Sequence, residues 1–461
     1  MSISKNMQHN TNQILIFYIG FIAGLAGLLF GMDTGVISGA LPILTKTFNL
    51  SPGVEGMVVS ILLVGAVCGT FISNPISRTF GRKTAIFISA MLFAVTSVIS
   101  AFAPSITFLI IVRFFLGIAL GIASFTTPMY LAEISPKAIR GAMISMYQLM
   151  ITIGLLLAFV SDTFFAKYGS WQAMLGVVAI PATIMLLLLI SLPRSPRWLM
   201  LKNREEDARS VLNKILPTRE VDIELASIRH TLEHEKSDTS ILRNSKFWLV
   251  IFLGLAAQML QQWTGINAVM YYSPTIFKAA GFTSLTAQMW CTVAVGVVNV
   301  LSTILAIKYI DRIGRKPILY FGLAVMVISL IITGTIMKVG SDNIYLHLLG
   351  VASVLTYIVG FAVSLGPIIW ILCAEIFPLR GRDFGVMITT AGNWIFNATL
   401  AQIFPTLVLS FGVHGVFWVF ALTSLLGIIF VYKFVPETKG VSLEQIEENL
   451  MSGKPLCKIG Q

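Results

Sequence analysis

The sequence predicts an all-α membrane protein with twelve transmembrane helices in two pseudo-symmetric halves of six. Three observations predict it. Of 461 residues, 56% are hydrophobic and only 11% are charged, where a soluble domain carries about 25% charged residues. Twelve apolar segments lie at 14–41, 54–76, 84–103, 105–128, 143–163, 171–193, 247–273, 286–309, 317–338, 345–371, 384–408 and 414–435, and a bilayer crossing takes roughly 20 such residues. Short motifs also recur six segments apart. "GRKTAIF" follows the second segment and "GRKPILY" the eighth, while "YLAEISPKAIRG" follows the fourth and "WILCAEIFPLRGR" the tenth. Parallel repeats with a site between them near the midplane are a standard transporter design. The domains expected are an N-terminal half over 1–193, a linker over 194–246 and a C-terminal half over 247–461.

The first segment is too long for a cleaved signal, and no small-residue cleavage site follows it. The net charge of +11 could suggest nucleic acid, but its distribution says otherwise. With the N-terminus inside, the inner connections hold 27 of the 32 Lys and Arg, and the outer ones hold Lys46, Lys167, Lys278 and Lys338. That asymmetry is the positive-inside bias. It places both termini in the cytoplasm and leaves no nucleic-acid role to explain.

The linker carries 11 basic and 9 acidic residues. Within it, Ala208, Val211, Leu212 and Ile215 recur at helical spacing, as do Leu225, Ile228 and Leu232, so short amphipathic helices are expected there. The tail "SLEQIEENLM" repeats the pattern with Leu443, Ile446 and Leu450, and Ser442 with Gln445 forms a capping box. Cys68, Cys291, Cys373 and Cys457 show neither pairing nor metal spacing, so free thiols and no metal or cofactor are expected.

Two deep charges stand out inside the segments, Asp33 and Arg113. A charge at the bilayer centre costs roughly 2.5–3.5 kcal/mol even on the lenient scale. Asp33 lies nine residues before Pro42 and Arg113 nine after Pro104, so both sit about 13 Å below the outer surface at 1.5 Å per residue. Equal depth permits an ion pair, either static or controlling a titratable carboxylate. In the seventh segment Gln258, Gln261 and Gln262 share one helix face. Gly265 loosens the helix there, and Asn267 and Tyr271 follow one turn apart. Amides are costly in lipid unless they face a cavity or another helix, and they both donate to and accept from hydroxyls. At the inner ends, Glu133 and Arg140 mirror Glu375 and Arg380, and Arg82 and Arg315 lie in the two "GRK" turns. Such acid–base pairs fit a cytoplasmic gate that opens as the halves rock.

These motifs carry a family resemblance. "GLLFGMDTGVISGALP", "RFFLGIALGIAS", "PMYLAEISPKAIRG", "ISMYQLMITIG", "LPRSPRWL", "QQWTGINAVMYYSP", "DRIGRKP", "GPIIWILCAEIFPLRGRDFG", "NW" at 393–394 and "PETKGVSLEQIE" occur in order over nearly the whole chain. The chain resembles the sugar porters of the major facilitator superfamily, and within it the bacterial galactose–proton and arabinose–proton symporters. It departs from the pattern twice, with Arg78 for an acid in "SRTFGRK" and Arg194 for an acid in "PRSPR"; both put the inner salt-bridge network in doubt, not the substrate class.

The resemblance implies the major facilitator fold and a proton-coupled monosaccharide importer, with a hexose or pentose and a proton as its partners. It implies hydrogen bonds to sugar from Gln148, Gln261, Gln262, Asn267, Asn299 and Asn393. Phe30, Tyr271, Trp370 and Trp394 would contribute apolar contacts, with Gly366 and Pro367 bending the tenth helix. A lone membrane asparagine such as Asn299 also serves as interhelical glue, Trp394 also reads as packing, and Gln258 lies behind the contact layer. Facilitative glucose carriers of the family have an amide where Asp33 stands, so the acid favours coupling over uniport. A sensing receptor on a transporter frame would carry a long signalling tail, whereas this chain ends about 25 residues after its last segment. No nucleophile–base pair or phosphate loop points to an enzyme. The short first outer loop favours a bacterial inner membrane, and function as a monomer is expected. Hexose and pentose differ by one CH₂OH, and a methylene-sized difference is worth only about 1–3 kcal/mol; the resemblance ranks galactose and glucose first, then arabinose, then xylose.

Overall fold

The computed structural model describes residues 2–136, 139–235, 243–340, 343–378, 381–441 and 443–460. They are helical, with no strand among them. The first half comprises α1 (Ser2–Phe48), α2 (Pro52–Phe80), α3 (Arg82–Ala101), α4 (Ile106–Ile134), α5 (Arg140–Ala166), α6 (Trp171–Gly176) and α7 (Ala179–Leu189), the last two making one crossing. The linker folds into α8 (Pro196–Leu201), α9 (Glu205–Ile215) and α10 (Thr218–Glu235). The second half comprises α11 (Ser245–Trp263), α12 (Ile266–Tyr271), α13 (Ser273–Ala279), α14 (Leu285–Ile313), α15 (Arg315–Val339), α16 (Ile344–Val363), α17 (Leu365–Ile376), α18 (Arg382–Lys433) and the tail helix α19 (Leu443–Ser452).

Eleven of these runs are long and apolar enough to cross a membrane. The last, α18, has 52 residues, about 78 Å at 1.5 Å per residue and more than twice a hydrocarbon core of about 30 Å. Its backbone breaks at Gly412, where φ is 69° and ψ 164°. This conformation suits glycine, and it divides the run into two crossings, the twelfth among them. The exposed surface is apolar in the way lipid requires, with Phe102, Phe252, Phe321 and Leu409 all more than 60% accessible.

Several boundaries differ from the sequence expectation. Pro42 does not end the first helix, which continues to Phe48 with the proline inside it. The tenth crossing breaks at Ser364 (φ −122°, ψ −92°) rather than at Gly366 or Pro367. The cause is still Pro367, because a proline ring disrupts the helix around the carbonyl four residues before it.

Within the first half, α1 packs on α5 and α2 on α4. Both contacts need backbone-to-backbone approach. A Cβ at Gly31 would lie 1.9 Å from the Ile151 carbonyl oxygen, and one at Gly117 would lie 1.9 Å from that of Leu62. Small residues at such crossings let helices associate where no hydrophobic effect drives them together. The second half is built around α18, which packs on α11 and α15. Across the halves, α2 lies on α18 and α5 on α14. At the end away from the linker, Gln402 ties the halves together: Ser60 Oγ donates to its Oε1 at 2.7 Å, and its Nε2 donates to the Gly53 carbonyl at 3.0 Å. The linker helices bury Ala208, Leu212, Ile215 and Leu225, the stripe the spacing predicts, three of them around Trp198 and Leu199. In the tail helix Ile446 and Leu450 are buried, while Ser442 lies outside the described residues.

Candidate transport site

Asp33 on α1 and Arg113 on α4 are 1% and 2% exposed. They feel each other's charge, but the expected ion pair does not form. The Arg113 Nε donates to the Val58 carbonyl of α2 at 2.7 Å, and Asp33 Oδ2 and Arg113 Nη1 have no partner among the described residues. Helix α2 competes for the guanidinium, which depth alone could not reveal.

A third deep charge escaped the sequence reading. Asp162 on α5 is 1% exposed; its Oδ2 accepts the Gly39 backbone N–H at 3.0 Å and its Oδ1 has no partner among the described residues. It lies one turn from the end of α5, where a charge looks interfacial, and its burial comes from Gly39 lying against it.

The glutamines of α11 do share one face. Gln258, Gln261 and Gln262 are all at most 3% exposed, and all three meet Asn393 of α18. Asn393 Nδ2 donates to Gln258 Oε1 at 2.6 Å and to Gln261 Oε1 at 2.8 Å, while its Oδ1 accepts from Gln262 Nε2 at 3.1 Å. Gln262 Oε1 accepts from Asn267 Nδ2 at 2.7 Å. Gln261 Nε2 donates to the carbonyls of Leu365 and Gly366, at 2.8 and 3.1 Å, where the break at Ser364 frees them. Gln258 also donates to Cys373 Sγ. Gly265 (φ 96°) separates α11 from α12, letting Asn267 and Tyr271 approach the same region.

Tyr271 links the two sets of residues. It lies within electrostatic reach of Asp33 and Arg113, and its hydroxyl accepts from Asn397 Nδ2 at 3.0 Å. Asn397 was not read as a site residue, although it lies one helical turn after Asn393. Phe30 and Trp394 meet across the halves with ring centroids 5.4 Å apart. Gln148, Asn299 and Trp370 are half-buried. The structure gives their side chains no hydrogen bond among the described residues, so polar capacity stays available there.

At the linker end both gate motifs form ion pairs. Arg82 meets Glu133 at 2.8 Å, and Ser195 Oγ donates to the second carboxylate oxygen. Arg315 meets Glu375 at 2.8 Å, and Thr438 Oγ1 does the same. Each of these two ion pairs ties helices within its own half. Arg140 Nε has no partner among the described residues, and Arg380 lies outside them. The hydroxyls and Glu437 were missed, although "PRSPR" and "PETKG" occupy equivalent places after the sixth and twelfth crossings. Glu437 accepts backbone N–H groups from Arg315, Lys316 and Lys439 at 2.9–3.0 Å. Its burial raises the carboxyl, but these donors and Arg315 outweigh it and hold the group below the usual range.

Glu133→Gln will leave the nearly buried Arg82 without a counter-charge, at a cost of about 3 kcal/mol. The expected result is lower thermal stability and faster labelling of a cysteine placed at the linker end, with sugar selectivity unchanged. Labelling and melting equal to the parent would show that these charges serve topology alone.

The family model described as "Sugar (and other) transporter" matches residues 19–450. The chain belongs to the sugar transporter family. This transporter is 47% identical over 455 residues to the galactose-proton symporter of Escherichia coli K12, covering 98% of each chain. It is 42% identical to the arabinose-proton symporter of the same strain, covering 96% of this chain and 95% of the relative. Among solved structures, the partially occluded inward-open xylose transporter XylE of E. coli superposes with a TM-score of 0.83 at 32% identity, covering 93% of this chain and 99% of the other. The proton:xylose symporter XylE bound to 6-bromo-6-deoxy-D-glucose gives 0.81 at 33% identity, covering 95% and 99%. The transporter is therefore a multi-pass membrane protein of the major facilitator fold.

Proposed function

We propose that this transporter imports a monosaccharide together with a proton, by rocking of its halves, 1–193 and 247–461, about a midplane site. One observation carries the reading: a buried carboxylate without an ion-pair partner among the described residues, Asp33, lies within electrostatic reach of Tyr271, whose hydroxyl accepts from Asn397, one helical turn from Asn393 and the cluster of neutral amides it joins. Protonation of Asp33 removes the cost of moving a bare carboxylate through an occluded state, and Arg113 controls that charge. Gln148, Gln261, Gln262, Asn267, Asn299 and Asn393 would hydrogen-bond the sugar hydroxyls. Phe30, Tyr271, Trp370, Trp394 and the Gly366 bend would shape the apolar wall. Arg82, Glu133, Arg140, Arg315, Glu375 and Arg380 would set the cytoplasmic side. The named relatives favour galactose first and arabinose next. The charge asymmetry favours a plasma membrane location with both termini inside, and the protein is proposed to work as a monomer and to leave the sugar chemically unchanged.

The test is sugar-dependent alkalinisation of the medium by proteoliposomes holding the purified protein. Galactose added outside will raise the external pH as it enters. Uptake of sugar with no pH change would make the protein a facilitative uniporter.

A further inference from the structure

At the linker end of the first half, one indole is held by the backbone of one basic residue and covered by the guanidinium of another, with a third basic residue beside the second. Trp198 Nε1 donates to the Arg78 carbonyl at 3.0 Å, and the Arg194 guanidinium stands 5.1 Å from the Trp198 ring centre. Lys83 lies close enough to Arg194 for the two to repel, with its ammonium on the Ile190 carbonyl at 2.9 Å. Arg78 and Arg194 are exposed and Lys83 is half-buried. None of the three pairs with an acid among the described residues; the acid of this end, Glu133, is taken by Arg82 and Ser195.

The second half treats the same place in the opposite way. Three residues before the turn glycine, Asp311 stands where the first half has Arg78, and Glu437 stands where it has Arg194. The Glu437 carboxylate accepts the backbone N–H groups of Arg315 and Lys316. The backbone N–H groups of the equivalent residues of the first half, Arg82 and Lys83, which open α3, meet no carboxylate among the described residues. Two acids of one repeat are thus two bases at the matching sequence positions of the other. Directly beside the cations the surface turns apolar: Phe80, Leu187 and Ile190 are 58%, 63% and 67% exposed. Cations at the edge of a lipid-facing surface match a headgroup above and acyl chains below.

We infer that Arg78, Lys83 and Arg194 bind the phosphate of an anionic phospholipid from the leaflet on the linker side, and that this lipid supplies the negative charge that Glu437 supplies in the other half. A soluble anion would find the same cations but no use for the apolar flank. The inference rests on the transporter reading, and its test separates the two. Each cation at an anionic membrane surface is worth about a fivefold preference.

The purified protein is reconstituted in phosphatidylcholine vesicles with and without phosphatidylglycerol, and sugar uptake is compared. Uptake will be at least about fivefold higher with the anionic lipid. Arg194→Glu, which restores the acid of the other repeat, will be active in both and lose the dependence. Arg78→Gln with Lys83→Gln will lose it through a different change, in case the first variant folds poorly. Native mass spectrometry of the detergent-solubilised parent will show retained phosphatidylglycerol, and both variants will retain less; this reading holds whether or not sugar moves. Equal uptake in the two lipids, or equal lipid retention by parent and variants, would overturn the inference. So would rescue of uptake in phosphatidylcholine alone by inorganic phosphate inside the vesicles. Absence of uptake in every lipid, with phosphatidylglycerol still retained through Arg194, would sink the sugar reading and leave the lipid site standing.

Discussion

Asp33→Asn will leave sugar exchange running and abolish accumulation. Asparagine keeps the size of the acid and most of its hydrogen-bonding capacity but cannot titrate, so it stands for the protonated carrier. With one proton per sugar, a gradient of one pH unit contributes about 1.4 kcal/mol and a potential of 100 mV about 2.3 kcal/mol. Together these support an accumulation of roughly 500-fold, since each 1.4 kcal/mol is a factor of ten. The variant will reach a ratio of about one. Counterflow between two sugar pools needs only the loaded carrier to reorient, and it will continue. The surroundings of Asp33 make the exchange tolerable, because its Oδ2 has no partner among the described residues and Arg113 is bonded to Val58 instead. Arg113 loses its countervailing charge, so the folded fraction is measured first. If the variant still concentrates sugar on an imposed proton gradient, Asp33 is not the coupling group.

The residues behind this prediction were legible because charge in a membrane is rare. Asp33 and Arg113 stood out for that reason alone, and the spacing of Gln258, Gln261 and Gln262 placed them on one face. What the sequence could not convey was competition from a third helix. Val58 takes the Arg113 Nε, and nothing in α2 marks that backbone carbonyl as an acceptor. Asp162 was missed for a related reason, since Gly39 makes it a buried residue only after α1 and α5 have packed. Asn397 was within reach: it repeats Asn393 one turn on, and Tyr271 accepts its amide. The helix boundaries show how far local rules extend. Pro367 broke its helix near the carbonyl four residues earlier, whereas Pro42 was absorbed into a helix that continued past it. The inner motifs showed their acids and bases, but not that each cluster closes within its own half through Ser195 or Thr438.

Asn393→Ala will weaken sugar binding more than tenfold, because it breaks a shared network rather than one contact. Asn393 donates to Gln258 and Gln261 and accepts from Gln262, so truncation leaves three buried amides short of a partner. Each unsatisfied buried group costs about 1–3 kcal/mol. Without sugar, water in the enlarged space relieves part of that cost. With sugar bound, the glutamines no longer hold the geometry that a ring of hydroxyls needs. Gln261→Ala will weaken binding about threefold to more than tenfold, since it removes the bond from Asn393 and those to the Leu365 and Gly366 carbonyls, while Asn393 keeps its bonds to Gln258 and Gln262. The double variant will be less harmful than the sum of the two, since each single change already removes the bond between Asn393 and Gln261. Coupling of 0.5–3 kcal/mol is usual for residues in one network. The measurement is sugar affinity by calorimetry on purified protein, for parent, both singles and the double, each checked to be folded by a cooperative melting transition above the assay temperature. Additive losses would mean that Asn393 and the glutamines contact the sugar independently, and an unchanged affinity in Asn393→Ala would remove the network from the site.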